Sequence, residues 1–214
     1  MALTGSNNAK SDERHSRILS AALEVFSNSS FSRATTEEIA RRAHVSKRDL
    51  YAAFPDKHSI LTEVIETILE NSEANLRRAI ADSQKSISST SATLEIIGLV
   101  LVSEILSPLE GFVCRLAFAE STENPLIGKA YFEIWYTRRV RIIADTLSRH
   151  NAKEDGTRSL FDKKQASMHF IALVTHLPQL TVTFGTTQMW NPKSVQTHVR
   201  NVVQCFLNAY PSLG

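Results

Sequence analysis

Residues 35–54 read TTEEIARRAHVSKRDLYAAF and contain two helix starts eleven residues apart. Thr35 followed by Glu38 is a capping-box pattern, in which a hydroxyl and a carboxylate satisfy backbone N–H groups that a first helical turn leaves open. The helix it opens is expected over about Thr36–Ala43, burying Ile39 and Ala40. Ser46 followed by Asp49 repeats the pattern and opens a short helix through Leu50 and Tyr51 to about Phe54. Val45 and Leu50 are apolar and can dock this second helix, which leaves Lys47, Arg48 and Tyr51 directed outward. A capped helix end carrying two cations suits phosphates and base edges, and two short helices joined this closely have the layout of a helix-turn-helix.

Outward from this segment every element reads as helix. Ile18, Leu19, Ala22, Leu23, Val25 and Phe26 fall at helical spacing, so a helix is expected from Ser11 to the polar run Ser27–Ser30. Pro55 stops the short helix, Asp56 caps the next, and Ile60, Leu61, Val64, Ile65, Ile68 and Leu69 carry that helix to about Ala81. Ser83–Ser91 reads as a linker. Beyond it Ser107-Pro108, Asn124-Pro125 and Asn191-Pro192 each put a good cap before a proline at the first helical position. The predicted helices are Thr93–Leu106, Pro108–Glu120, Pro125–His150, Asp162–Thr186 and Pro192–Tyr210, with Asn151–Ser159 as a polar loop. Pro178 is expected to kink the fourth of these. Residues 1–10 read as a disordered tail. The fold class is all-α: an N-terminal three-helix helix-turn-helix domain over 11–56, then a helical domain over 57–214.

Composition narrows the function. The chain is that of an ordinary globular protein, 43% hydrophobic and 21% charged, with seven glycines and none between Gly5 and Gly98. Cys114 and Cys205, far apart in the sequence, give neither a disulfide framework nor a zinc site, and apolar flanks make both read as buried and inert. The first residues lack the apolar run of a signal peptide, and no stretch reaches a membrane span, so a cytoplasmic protein without membrane contact is expected. The net charge is +2, and the surplus is N-terminal: residues 1–60 hold 9 basic and 7 acidic side chains. No phosphate-binding loop, HExxH, GxSxG or dinucleotide fingerprint occurs, so no enzyme, catalytic residue or cofactor is expected. His169 and His176 share a helix face but lack a further ligand, so no metal site is expected.

The stretch from Arg17 to Val64, with RILSAALEVF, TTEEIA, HVS, LY and F, then Lys57 followed by Ile60-Leu61, closely resembles the DNA-binding domain of the TetR (tetracycline repressor) family. The resemblance implies that Thr35 and Thr36 hold phosphate, that Lys47 and Arg48 enter the groove after the Ser46 cap, and that Tyr51 and Lys57 touch backbone phosphate. The family usually has glycine where this chain has His44, and glycine after the first helix where it has Ser29 or Ser30. A left-handed residue is therefore expected at His44.

RLAFAESTENPLIGKAYFEIW, residues 115–135, resembles more loosely the C-terminal domain of the AefR-like branch. That likeness implies a ligand-responsive regulator, a repressor by the family's habit, released from a palindromic double-stranded operator by a small hydrophobic or aromatic inducer. Residues 57–214 would then bind inducer and dimerise. Aromatic and polar residues of this domain name the pocket candidates Phe112, Arg115, Phe118, Tyr131, Trp135, Phe170 and His176. Phe170, Ile171, Leu173, Val174, Leu177 and Leu180, with Val195, Val199, Val202, Val203, Phe206 and Leu207, are more apolar surface than two helices should expose. A four-helix homodimer interface would bury it.

Overall fold

The structure, a computed structural model, describes residues 4–85, 89–150 and 158–213, without the side chains of residues 4–10, 150 and 158–162. Its helices are α1 (Thr4–Asn28), α2 (Thr36–Arg42), α3 (Lys47–Ala53), α4 (Lys57–Ser83), α5 (Thr90–Leu106), α6 (Pro108–Glu120), α7 (Pro125–Tyr131), α8 (Arg138–His150), α9 (Arg158–Thr183) and α10 (Pro192–Ala209). A π-helical stretch, Phe132–Thr137, joins α7 to α8, and short 3-10 turns follow α9 and α10. No strand occurs among the described residues.

The predicted starts with a proline hold because each cap forms its bonds. Ser107 Oγ accepts from the Glu110 amide, Asn124 Oδ1 from Leu126, and Asn191 Oδ1 from Lys193 and Ser194. Other boundaries move. Helix α1 begins at Thr4, so the backbone of residues 4–10 is helical and not a disordered tail; once a helix is nucleated, polar residues without proline extend it one hydrogen bond at a time. Helix α5 begins at Thr90, inside the predicted linker, and α9 begins at Arg158, inside the predicted loop. The rest of that loop, 151–157, and residues 86–88 of the linker lie outside the described residues. The single helix expected over Pro125–His150 is interrupted by the π stretch, which no glycine or proline marks.

The chain divides into two compact units, one of Met1–Ile68 with Leu116–Ala130, the other of Leu69–Arg115 with Tyr131–Gly214. Helices α4 and α6 each run from one unit into the other. In the first unit Ile18, Ala22, Phe26, Ile39, Leu50, Phe54, Ile60, Leu61 and Ile65 form the core. Leu50 is fully buried and anchors α3, a contribution of about 1.5–3 kcal/mol from that one side chain.

In the second unit α5 packs against α9 and α10, and α8 against α9. The approach of α5 is close: a Cβ on Gly98 would lie 2.8 Å from Val199 Cγ1 and 3.3 Å from Val174 Cγ2. Pro178 stands inside α9 and has no N–H for the carbonyl of Val174 four residues earlier. His198 Nε2 of α10 lies 2.9 Å from that carbonyl and donates to it in the proline's place. His198 also meets the Trp190 ring edge-on, and Trp190 Nε1 donates to Thr181 Oγ1, so the proline's missing bond is made good from the neighbouring helix.

Candidate functional site

The reader segment is held by caps and by one left-handed residue. Thr35 Oγ1 accepts from the Glu38 amide at 3.2 Å, closing one half of the first capping box. The other half does not form, because the Glu38 carboxylate takes Arg41 and Arg42 instead, and these two guanidinium groups hold it down at about 2. Arg42 also reaches Glu24 of α1. Ser46 Oγ accepts from the Asp49 amide and donates to its carboxylate, and Arg14 of α1 pairs with the other oxygen.

Between the caps, the His44 amide donates to Arg41 O and the Val45 amide to Ala40 O, the paired bonds of a Schellman turn. His44 sits at φ 52°, as expected of a position where the family usually has glycine; among the described residues no other non-glycine has positive φ. Ser29 and Ser30 therefore do not share that conformation. Left-handed backbone costs a residue with a Cβ about 1–2 kcal/mol, and His44 is exposed. His44→Gly is expected to raise stability by about 0.5–1 kcal/mol after glycine's own entropy cost, read as a higher urea midpoint at unchanged slope.

The face so built carries most of the predicted DNA-contacting side chains. Lys47, Arg48 and Tyr51 are exposed on α3, opposite the buried Leu50. Tyr51 Oη and Thr36 Oγ1 are 2.8 Å apart, which ties the outer faces of α2 and α3 together and places two hydroxyls side by side. Lys47 Nζ donates to Glu37 Oε1 at 2.6 Å, and this bond, more than charge alone, keeps the Glu37 carboxyl below its ordinary value. Lys57 is placed differently. Its ammonium donates to the carbonyls of Phe31 and Ala34 and lies 4.3 Å from the Phe31 ring centre, so it closes the loop between α1 and α2.

Comparison with known proteins agrees with this geometry. Residues 18–64 match the model for bacterial regulatory proteins of the tetR family, and residues 92–212 match the AefR-like transcriptional repressor, C-terminal domain. The chain belongs to the TetR family. It is a transcriptional regulator and not an enzyme. The activator FasR of Mycolicibacterium smegmatis is 36% identical over 74 residues, a match that spans 35% of this chain and 34% of FasR. A TetR-family regulator from Mesorhizobium loti superposes with a TM-score of 0.83 at 20% identity, covering 93% of this chain and 97% of that one. The flavonoid-responsive regulator FrrA superposes at 0.70 and 21% identity, covering 92% and 96%.

In this TetR-family chain the seven pocket candidates differ in unit and in exposure. Phe118 falls in the first unit and is exposed, and the other six are in the second. Phe170 is core, edge-on to Phe206, while His176 is exposed on α9. Arg115 is exposed, its Nη1 donating to Val182 O, and Phe112 is half-buried. Tyr131 and Trp135 do come together, their rings stacked with centres 6.2 Å apart. Cys114 is buried, but Cys205 is exposed on α10, against expectation, since its apolar neighbours Val203 and Phe206 lie on the opposite face. His169 takes Gln165 and Tyr210 as partners.

Sequence reasoning missed the largest buried polar group of the second unit. Arg139, the second residue of α8, has no exposed surface. Its Nη1 donates to the carbonyls of Ile134 and Trp135 in the π stretch, and its Nη2 donates to Ser72 Oγ of α4 at 2.6 Å and Glu104 Oε2 of α5 at 3.2 Å. The guanidinium carbon lies 5.3 Å from the Trp135 ring centre. Glu110 of α6 and Glu104 of α5 both face the Ser72 hydroxyl. Burial, against the pull of Arg139, raises the Glu104 carboxyl; burial and the Glu104 charge push Glu110 up to about 7.

Proposed function

We propose that this regulator is a repressor that leaves a palindromic operator when a small hydrophobic or aromatic inducer binds its C-terminal domain. The observation that carries the reading is the outer face of the helix-turn-helix: Lys47, Arg48 and the hydrogen-bonded Thr36 and Tyr51 stand exposed on a pair of helices whose inner face is buried. Thr35 and Ser46 hold that face in place through their caps. Lys57 contributes to phosphate binding only through a donor not already given to Phe31 and Ala34.

Repression is favoured over activation because the AefR-like repressor model spans residues 92–212, whereas the match to the activator FasR covers 74 residues. FrrA responds to flavonoids, which agrees with an aromatic inducer here. A homodimer is favoured by α9 and the turn after it, where Leu173, Leu177, Leu180 and Phe184 stay exposed in the single chain. Pairing through α9 and α10 would cover them and set two readers on half-sites about 34 Å apart or a multiple of it. Inducer would shift the population toward a dimer whose readers no longer match that spacing, with α4 as the lever.

The deciding experiment is fluorescence anisotropy of the purified protein on DNA from its own upstream region, over a salt series, with unrelated DNA as competitor. Specific binding with a negative log-log salt slope is expected. Absence of specific binding there and in a genome-wide selection would sink the reading. Glu37→Gln is expected to tighten binding to operator and unrelated DNA alike by about two- to tenfold, because it releases Lys47 and removes a negative charge beside the phosphates. Equal affinities for wild type and Glu37→Gln would mean that Lys47 does not reach DNA.

A further inference from the structure

With both its carboxyls ionised, the Arg139 cluster is short of hydrogen-bond donors. Glu104 Oε1 and Glu110 Oε2 are buried without a partner, and against these two acceptors Arg139 Nε is the one unpartnered donor of the cluster. The single hydroxyl proton of Ser72 faces both carboxyls, so it cannot satisfy them together. With both carboxyls ionised the cluster would carry one net negative charge in the core, an arrangement that costs stability unless something donates to it. Beside these groups lies a flat aromatic face, Tyr131 stacked on Trp135 with an interplanar angle of 4°. The backbone next to Trp135 is π-helical, a geometry that recurs at functional sites, and its carbonyls are held by Arg139.

We propose that Glu104 and Glu110, with Ser72, Arg139 and the Tyr131–Trp135 stack, bind an aromatic ligand through a hydrogen-bond donor, either a phenolic hydroxyl or a protonated amine. The ligand supplies a donor to the ionised carboxyls in place of the proton that Glu110 otherwise holds, and its ring lies against the aromatic stack. The site deepens the regulator reading and rests on it: Ser72 and Glu110 stand on α4 and α6, the two helices that continue into the DNA-binding unit. A ligand bound at Glu110 beside Ser72 touches groups carried by both helices.

The groups facing Glu110 are Glu104 from α5, Arg139 from α8, Ser72 from α4 and Tyr131 from α7. Because Glu110 binds a proton up to about 7 in the free protein, a donor ligand that favours the ionised carboxylate releases that proton. Its affinity therefore rises as pH increases through neutrality.

The test uses the full chain and four probes with one ring system: 2-naphthol, 2-(aminomethyl)naphthalene, 2-methoxynaphthalene and 2-naphthoate. Binding is followed by tryptophan fluorescence and thermal shift at pH 6 and pH 8, in wild type and Glu110→Gln. The naphthol or the amine is expected to bind wild type about tenfold or more tightly than the methoxy compound and the acid, and more tightly at pH 8. Which of the two leads identifies the donor. Glu110→Gln is expected to lose that preference and its pH dependence while melting no lower than wild type, since it removes a buried unpaired carboxyl. Tightest binding by naphthoate, equal binding by naphthol and its methyl ether, an unaffected Glu110→Gln, or no binding by any probe would each overturn the site. DNA binding measured in parallel separates the two readings: probe binding without DNA binding sinks the repressor reading alone, and the reverse sinks the site alone.

Discussion

Arg139→Met is expected to destabilise the second unit by about 3–5 kcal/mol, among the largest losses from any single substitution in this chain. Methionine has similar length and fills similar space, so the loss isolates charge and hydrogen bonding from packing. Removing the guanidinium leaves Glu104 buried against its unpaired oxygen, leaves Ser72 Oγ without its 2.6 Å donor, and frees the two carbonyls of the π stretch. Urea denaturation at pH 7 measures it as a lower midpoint. Glu104→Gln in the same chain should recover part of the loss, because the stranded charge is then absent; a double-mutant cycle with a coupling near zero would show that the pair does not hold α5 to α8. Arg138→Met is the control: that guanidinium is partly exposed and reaches Glu70 and Glu73 at 3.4 and 3.7 Å, so about 1 kcal/mol or less is expected.

The contrast between these adjacent arginines shows what the sequence displays and what it hides. In the reader, function is local: Thr35, Ser46 and His44 act on backbone within five residues, and a spacing reveals them. The resemblance to the TetR family rests on that same short stretch. Arg139 acts across 67 residues on Ser72 and across 35 on Glu104, and no spacing encodes those distances. One signal was present. Arg139 stands four residues before Ile143 and seven before Thr146, on the buried stripe of α8, and Glu104 stands three and seven residues after Leu101 and Ile97 on the buried stripe of α5. A charge in phase with a core stripe is the mark of a buried pair. Aromatic or polar type alone says nothing of burial: among the pocket candidates Phe170 is core and His176 is exposed. The π stretch FEIWYT escaped for another reason: it holds no glycine or proline, and the arginine that bonds its carbonyls lies outside it.

The combined variant Lys47→Ala with Arg48→Ala is expected to weaken operator binding by on the order of a hundredfold near 0.1 M salt and to flatten the log-log salt slope by about 1 to 2. Both side chains are exposed and neither belongs to the core, so the melting temperature should stay close to that of wild type and the loss reads as lost contact. The single variants divide the effect. Lys47 already has a carboxylate partner in Glu37, so its phosphate contact exchanges one ion pair for another, and Lys47→Ala should cost less than removing an unengaged cation. Arg48 faces Asp49 only at longer range, and Asp49 is engaged by Ser46 and Arg14. The guanidinium is then available to a base edge, where a bidentate contact discriminates by about 1–3 kcal/mol. Arg48→Ala should therefore reduce the preference for operator over unrelated DNA, whereas Lys47→Ala should weaken both about equally. Anisotropy on the two DNAs measures the ratio. If the Lys47 variant loses specificity and the Arg48 variant does not, the roles are reversed, and the Glu37–Lys47 pair would be a base-reading element set by the exposed rim of α2.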